Sequence, residues 1–207
     1  MTEAHAADAA QPDKHRDRPS QWIGDQHRTR REQPTRPKAM VVFESMFGDT
    51  EDVAHAVATG LRTWADVTVT RVSDAPTELA SDLGLLVVGG PTHAFSMSRA
   101  TTRADAVRRG AAPPNATTGV REWLDALPHG LHSTVVATFD TKVRSMRHMP
   151  GSAARAAAST ADRHGFDLAA TPASFFVEDV EGPLSDGELT RATAWASELA
   201  SELHVSP

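Results

Sequence analysis

Hydroxyl-bearing and small residues follow the first apolar segment of the chain. Residues 45–50, here called the first loop, read Ser-Met-Phe-Gly-Asp-Thr and lead into a segment with helical periodicity. Hydroxyls at Ser45 and Thr50 can donate hydrogen bonds, and Gly48 permits a turn that directs successive backbone N–H groups inward. The following helix N-terminus adds unpaired N–H donors and the positive end of the helix dipole. These features suit the binding of a phosphate monoester.

The first loop also has a plain structural interpretation, as the start of a helix. Asp49 is a residue type that caps helices, and Glu51 and Asp52 in the first turn favour the helix dipole. The same carboxylates repel a phosphate dianion and would weaken its binding. The loop alone leaves both interpretations open.

Segments with strand and helix patterns alternate along the rest of the chain. Predicted strands cover residues 39–43, 67–72, 85–88, 134–139 and 174–177, with an extended stretch at 166–169. Predicted helices cover residues 51–61, 120–127, 152–164 and 189–203. Such alternation implies right-handed crossovers and a parallel sheet covered on both faces. The predicted fold class is α/β, a three-layer, doubly wound sheet of five parallel strands.

Several other sites found on such sheets need residues that this sequence lacks. A dinucleotide fingerprint needs three glycines after the first strand, where only Gly48 is present, and a P-loop needs a lysine. A phosphorylated receiver domain carries an aspartate after its third strand, where this chain has Gly89 and Gly90. The chain has no cysteine, which excludes disulfides, iron–sulfur clusters and thiolate nucleophiles.

Residues 1–37 differ in composition from the predicted domain. They contain seven basic residues, six acidic residues and four prolines, and their large apolar residues besides Met1 are Trp22 and Ile23. Such a segment buries too little apolar surface to offset its ordering entropy. We predict a disordered polar tail at residues 1–37 and a folded domain at residues 38–207.

The charge balance limits the classes of partner. The chain has a net charge of −6, and residues 38–207 alone carry −7. An acidic domain is not expected to bind nucleic acid or an anionic membrane. The longest uninterrupted apolar stretch is five residues, at 39–43, so no membrane span is expected. We therefore expect a cytoplasmic protein.

Three segments, in order along the chain, resemble those of the flavodoxin family. The first loop is similar to the S/T-x-x-G-x-T loop by which flavodoxins hold the phosphate of FMN. Residues 87–95 resemble the third strand and flavin-contacting loop of the family, and residues 138–142 fall where its second flavin-flanking loop lies. The resemblance covers residues 38–203. It implies a flavodoxin-like sheet of strand order 2-1-3-4-5 and FMN as cofactor.

By position, the resemblance implies three groups of cofactor-binding residues, and no metal or catalytic acid or base. The phosphate group would lie against Ser45, Met46, Phe47, Gly48, Asp49 and Thr50. One side of the flavin ring would face Pro91, Thr92, His93, Ala94 and Phe95, and the other side Phe139, Asp140 and Thr141. The protein would orient the flavin and tune its potential by hydrogen bonds. Flavodoxin carriers often use tryptophan or tyrosine here, whereas phenylalanine or methionine would contact the ring in this chain.

Basic residues cluster in two segments near the predicted site. They are Arg99, Arg103, Arg108, Arg109, Lys142, Arg144, Arg147 and His148. One interpretation is a set of solvated loops of mixed charge. The other is a basic rim around the flavin, which would attract an acidic partner or anionic substrate or stabilise reduced, anionic flavin.

The resemblance predicts an FMN-binding electron-transfer protein that passes electrons between a reductase and an acceptor. Its partner would be a redox protein or a small anionic or quinone substrate. Two alternatives remain open. One is an FMN-dependent reductase of the NAD(P)H:quinone type, and the other is a non-redox binding module with a decayed flavin site.

Overall fold

Strands and helices alternate along the part of the chain that the computed structural model describes, residues 36–112 and 117–205. The strands are β1 (Lys38–Phe43), β2 (Asp66–Arg71), β3 (Leu83–Pro91), β4 (Val135–Val143) and β5 (Ala173–Val177). The helices are α1 (Asp49–Leu61), α2 (Ala100–Arg108), α3 (Val120–Asp125), α4 (Ala153–Arg163) and α5 (Glu188–Val205). A 3-10 turn at Arg144–Met146 follows β4.

The five strands form one parallel sheet in the order β2-β1-β3-β4-β5. This confirms the predicted fold class and strand order. The alternating Val and Thr pattern of β2 places it at an edge, whereas β3 is buried between β1 and β4. All strand carboxyl ends therefore lie at one edge of the sheet, where loops from neighbouring strands meet.

Successive residues of each strand pack on opposite faces of the sheet, as the two-residue period of a strand requires. Val41 and Val87 face a core cluster that includes the buried faces of α1 and α5. Val42 and Val88 face a second cluster with α3 and α4. The sheet is thus covered by helices on both faces, which makes three layers.

Two strands run further than the sequence patterns predicted. β3 continues through Gly89 and Gly90 to Pro91, and β4 continues to Val143. Each extension is held by a parallel ladder, because β3 pairs with β4 up to Pro91 and β5 pairs with β4 from Phe139. Residues 140–143, which were interpreted as part of a loop, are therefore strand.

Helix α2 was not predicted. Its buried residues are Arg103 and Ala106, so the helix has no stripe of large apolar side chains. The Thr102 hydroxyl accepts a hydrogen bond from Arg99 N and donates one to Arg99 O, which closes the first turn. Because the inward face carries an arginine, hydrophobic periodicity did not indicate this helix.

The predicted tail falls almost wholly outside the described residues. Its last two members, Arg36 and Pro37, are described, and both contact the domain. The Arg36 guanidinium donates to the carbonyls of Arg62 and Ala65 at 2.5 and 3.2 Å. The carbonyl of Pro37 accepts from Asp66 N at 2.8 Å. Within residues 36–112 and 117–205, no helix is both long and apolar enough to cross a bilayer.

Candidate functional site

A cavity of about 300 Å³ opens at the carboxyl ends of the strands. Its walls come from the first loop, the segment after β3, one face of α2, the end of β4, and β5 with the segment that follows. The lining residues are Ser45, Met46, Phe47, Asp49, Thr50, Pro91, Thr92, His93, Ala94, Thr102, Asp105, Ala106, Arg109, Thr141, Val143, Met146, Val177 and Val180. Ten of the fourteen predicted site residues are in this set.

Gly48 shapes the first loop, although it is not itself a lining residue. It adopts φ of +110°, a conformation that favours glycine, and it is the N-cap of α1 in place of Asp49. Its N–H donates to Ser45 Oγ at 3.1 Å, which closes the turn. The first N–H groups of α1 have no acceptor within the helix. The loop therefore brings backbone donors and the positive end of the helix dipole to the cavity.

Thr50 connects the first loop to the sheet. Its hydroxyl lies 2.7 Å from the hydroxyl of Thr141 on β4, and both side chains are buried. In such a pair, one hydroxyl donates its proton to the other. The accepting hydroxyl can still donate its own proton to a ligand, and the donating one can still accept a hydrogen bond. The structure therefore brings the first loop and Thr141 together at one cavity.

Asp49 is held toward the segment that precedes α5. Burial raises the pKa of its carboxyl group, while a hydrogen bond from the backbone of Leu184 and one from its own backbone oppose the rise. A Cβ built on Gly182 would lie 2.7 Å from Asp49 Oδ2, which shows how closely that backbone approaches. Asp49 therefore joins two loops at the cavity wall and keeps a carboxylate beside the α1 N-terminus.

Asp140 is fully buried and anchors helix α4 rather than facing the cavity. Its Oδ2 accepts hydrogen bonds from Thr92 Oγ1 at 3.0 Å and from Ala154 N at 2.9 Å. Thr92 Oγ1 in turn accepts from Ala153 N at 2.8 Å. A carboxylate at a helix N-terminus is favoured by the helix dipole. The prediction that Asp140 flanks the flavin ring is corrected, because its side chain instead accepts hydrogen bonds that hold the N-terminus of α4.

Phe139 is likewise a core residue. Its ring lies beneath Gly89, where an added Cβ would meet ring atoms at 2.0 Å, and it packs edge-on against Phe175 and Trp195. The ring therefore faces α5 on the opposite side of β4 from Thr138. The prediction that Phe139 contacts a ligand is corrected on this ground.

The segment after β3 ends in a tight turn. His93 N donates to Ser96 O and Ser96 N donates to His93 O, at 2.9 and 3.1 Å. The two residues between them, Ala94 and Phe95, adopt φ of +47° and +66°, which is strained for residues with a Cβ. Phe95 is 42% exposed, and its backbone and Cβ approach Gly151 rather than the cavity. The turn thus holds Ala94 in the cavity wall and Phe95 outside it.

His93 lines the cavity, where burial favours the neutral form of its imidazole. Burial lowers the pKa of the imidazole, and the positive charge of Arg103 lowers it further. An uncharged imidazole can donate one hydrogen bond and accept another. His93 is therefore a polar, neutral group on the cavity wall.

A polar network around buried Glu44 and Arg103 was not predicted. The Arg103 guanidinium donates to both carboxylate oxygens of Glu122 at 3.1 Å and to Ser98 Oγ at 2.9 Å. Glu44, one residue before the first loop, accepts from Val120 N at 2.9 Å. Burial raises the pKa of Glu44, although Ser98, Val120 and Arg103 oppose the rise. Burial also opposes ionisation of Glu122, but Arg103 holds its pKa below the usual value.

The predicted basic rim is corrected in part. Arg103 is buried in this network, and Lys142 is buried with its Nζ donating to the carbonyls of Met149 and Gly151. Arg144 is paired with Glu178 at 3.2 Å. Of the basic cluster, Arg109 is the member that lines the cavity.

Sequence reasoning also missed the apolar wall that faces the first loop. Val143, Met146, Val177 and Val180 form it, from the ends of β4 and β5 and the segments that follow. Val177 is the last residue of β5, so the rule that ligands bind beyond strand carboxyl ends was the available signal. Among residues 36–112 and 117–205, no three metal-ligating side chains cluster.

Comparison with known proteins shows which known fold this architecture resembles. No family model and no curated protein matches the chain. A solved flavodoxin from the domain Archaea is 18% identical, over 81% of this chain and 99% of its own, with a TM-score of 0.55. The fold is flavodoxin-like.

Two further structures agree with this flavodoxin-like fold. Oxidised Flavodoxin 2 from Bacillus cereus is 16% identical over 80% of this chain and 99% of its own, with a TM-score of 0.58. The flavodoxin of Streptococcus pneumonia TIGR4 is 18% identical over the same shares, 80% and 99%, with a TM-score of 0.54. The flavodoxin-like domain carries its cavity at the edge of the sheet where the sequence predicted a site.

Proposed function

We propose that the flavodoxin-like domain binds FMN in this cavity and exchanges electrons with a redox partner. One observation carries the proposal. The first loop and residues 91–94, which the flavodoxin resemblance assigned to the phosphate and to one side of the flavin ring, line the same cavity. Thr141, from the third predicted segment, lines it as well.

The chemistry of the walls fits the two halves of FMN. Near the start of α1, the Ser45 and Thr50 hydroxyls and the first N–H groups of the helix suit a phosphate monoester. Phe47, Ala94 and Met146 contribute apolar surface of the kind that a flat ring system requires. FMN supplies the redox chemistry when it is bound, and the protein orients it.

The exposed side chains around the cavity support electron transfer to a partner protein that contacts this surface directly. Phe95, Met146, Met149 and Val180 are each between 42% and 49% exposed. Met146 and Val180 also line the cavity, and Phe95 abuts Gly151 two residues from Met149. Exposed apolar residues grouped at a site favour an interaction surface. This arrangement supports an electron carrier for which a partner protein docks at the mouth of the cavity.

A binding experiment tests the proposal. The full chain is dialysed separately against FMN, riboflavin and FAD, and bound flavin is quantified. We expect one FMN per chain, with weaker binding of riboflavin, which lacks the phosphate, and of FAD, whose adenylate exceeds the single phosphate site. Equal affinity for FMN and riboflavin would contradict a phosphate site, and no flavin binding would favour a decayed binding module.

A double variant makes the test specific for the first loop. Ser45→Ala with Thr50→Ala removes two hydroxyls, each worth about 1 kcal/mol, and should weaken FMN binding about tenfold or more. The matched control is Thr59→Ala with Ser201→Ala, whose exposed hydroxyls bond only within α1 and α5. NAD(P)H oxidation by FMN-loaded protein with a quinone would instead support the reductase alternative.

A further inference from the structure

One face of helix α2 forms a polar wall of the cavity. Thr102, Asp105, Ala106 and Arg109 line it, at spacings of three, four and seven residues, so they lie on a single helical face. This wall belongs to the helix that the sequence patterns did not reveal. None of these residues was among the cofactor-binding residues that the resemblance implied, although Arg109 belonged to the basic cluster.

The far end of this wall lies against the first loop. Met46 packs with Ala106 and Ala111 in a small buried cluster, and Phe47 packs on the same cluster. Arg109 is one helical turn beyond Ala106, at the C-terminal boundary of α2. Arg109 therefore lies at the cavity wall, beside the Met46–Phe47 part of the first loop.

The charges around the first loop are mostly paired. Glu51 is paired with Arg71 at 2.6 Å, and Asp105 is paired with Arg108. Asp49 remains as a carboxylate on the cavity wall. Among the described residues, Arg109 forms no ion pair, so it is a cation available to a ligand.

We propose that Arg109 recognises the phosphate monoester of the bound flavin and offsets the negative charge of Asp49. This inference rests on the proposed function and adds a residue to its site. A guanidinium can donate two parallel hydrogen bonds to phosphate oxygens, and such charge-assisted bonds are stronger than neutral ones. The first loop supplies neutral donors, whereas Arg109 supplies the positive charge.

The test compares two arginines. Arg109→Gln removes a charge from the cavity wall, and Arg62→Gln removes an exposed charge at the C-terminal end of α1, outside the cavity lining. Dissociation constants for FMN and riboflavin are measured by calorimetry for both variants and the wild type. We expect Arg109→Gln to weaken FMN binding about tenfold or more and to leave riboflavin binding unchanged.

Three further measurements make the outcome decisive. Arg109→Lys should restore part of the preference for FMN over riboflavin, because it keeps the charge without the planar fork. Inorganic phosphate should compete with FMN more weakly in Arg109→Gln than in the wild type. Added salt should reduce the FMN affinity of the wild type more than that of Arg109→Gln.

Two results would overturn the inference while leaving FMN binding in place. One is equal FMN affinity for Arg109→Gln and Arg62→Gln. The other is an equal loss of FMN and riboflavin in Arg109→Gln, since that would place the side chain against the ring. A wild-type protein that binds no FMN would overturn the proposed function itself, and the inference with it.

Discussion

Glu44 keeps a carboxyl group out of water one residue before the first loop. Its side chain is only 2% exposed, and it holds the N-terminus of α3 through Val120 N. Buried Arg103 and the more exposed Glu122 complete a polar network between the end of β1, helix α2 and helix α3. The first loop and α2 both line the cavity, and they are therefore linked through a carboxyl group whose charge depends on pH.

We expect Glu44→Gln to change how stability depends on pH. The folded pKa of Glu44 lies above its ordinary value of 4.5 because of burial. The contribution of Glu44 to the free energy of unfolding is thus fully present below pH 4.5, its ordinary pKa, and is lost as pH rises through the folded pKa. Relative to wild type, Glu44→Gln should gain unfolding free energy as pH rises, measured by urea denaturation between pH 4 and pH 8.

Glu122→Gln is the matched comparison for this prediction. Arg103 holds the pKa of Glu122 below its ordinary value, so its contribution is lost as pH falls through the folded pKa. The two variants should therefore differ from wild type with opposite slopes against pH. Parallel profiles for wild type and Glu44→Gln would show that the carboxyl group does not titrate in this network.

We expect Asp49→Asn to tighten FMN binding. Asp49 carries a negative charge on the cavity wall near the start of α1, and removing it should be worth roughly 1 kcal/mol after solvent screening, or about fivefold in affinity. Riboflavin binding should stay unchanged, because it has no phosphate. Asp52→Asn, in the same helical turn but outside the cavity lining, should have a smaller effect. A strong loss of FMN binding in Asp49→Asn would assign the carboxylate a binding role through its contact with Leu184.

At the scale of the elements, the Phe139 ring of β4 can lie over β3 because Gly89 has no side chain. We expect Gly89→Ala to destabilise the protein by about 2–3 kcal/mol, since its Cβ would overlap the Phe139 ring. Gly84→Ala is the control on the same strand, because its Cβ would meet only Lys38 O at 3.6 Å. Combining Gly89→Ala with Phe139→Leu should recover part of the loss in a denaturant titration, and no recovery would show that the ring is not the obstacle.

The elements that could be predicted are those marked by apolar side chains. The stripe of Val53, Val57 and Leu61 revealed α1, and the run at residues 85–88 revealed β3. Helix α2 could not be found this way, because its inward face carries Arg103, whose burial depends on Glu122 from a later helix. To predict α2 one would have to know that Arg103 pairs with Glu122, and the sequence pattern around Arg103 does not contain that information.

The same limit explains which site residues were placed correctly. The first loop lies at a strand-to-helix junction, where the position follows from the topology. Phe139 and Asp140 lie within β4, and neighbouring strand residues face opposite sides. The sequence predicted the strand, but the helix packed on each face decided that Phe139 enters one core and Asp140 caps α4.

At the scale of the molecule, the boundary of the folded unit is a testable feature. We expect deletion of residues 1–35 to leave the melting temperature and FMN binding unchanged, because their composition offers little surface to bury. Deletion of residues 1–37 also removes the Arg36 and Pro37 contacts, at a cost of about 1 kcal/mol, or roughly 2–4 °C in melting temperature. A fall of several degrees with the shorter deletion would show that residues 1–35 dock on the domain.

The aromatic lining of the cavity has a spectroscopic consequence. Among the described residues, the rings on its walls are Phe47 and His93, whereas Trp123 and Trp195 pack in or against the two cores. Stacked indole or phenol groups quench flavin emission by donating an electron, and a phenyl ring is a poor donor. A flavin held here should keep most of its fluorescence, so that slowed tumbling, read as emission anisotropy, reports binding where a quenching titration would show little change.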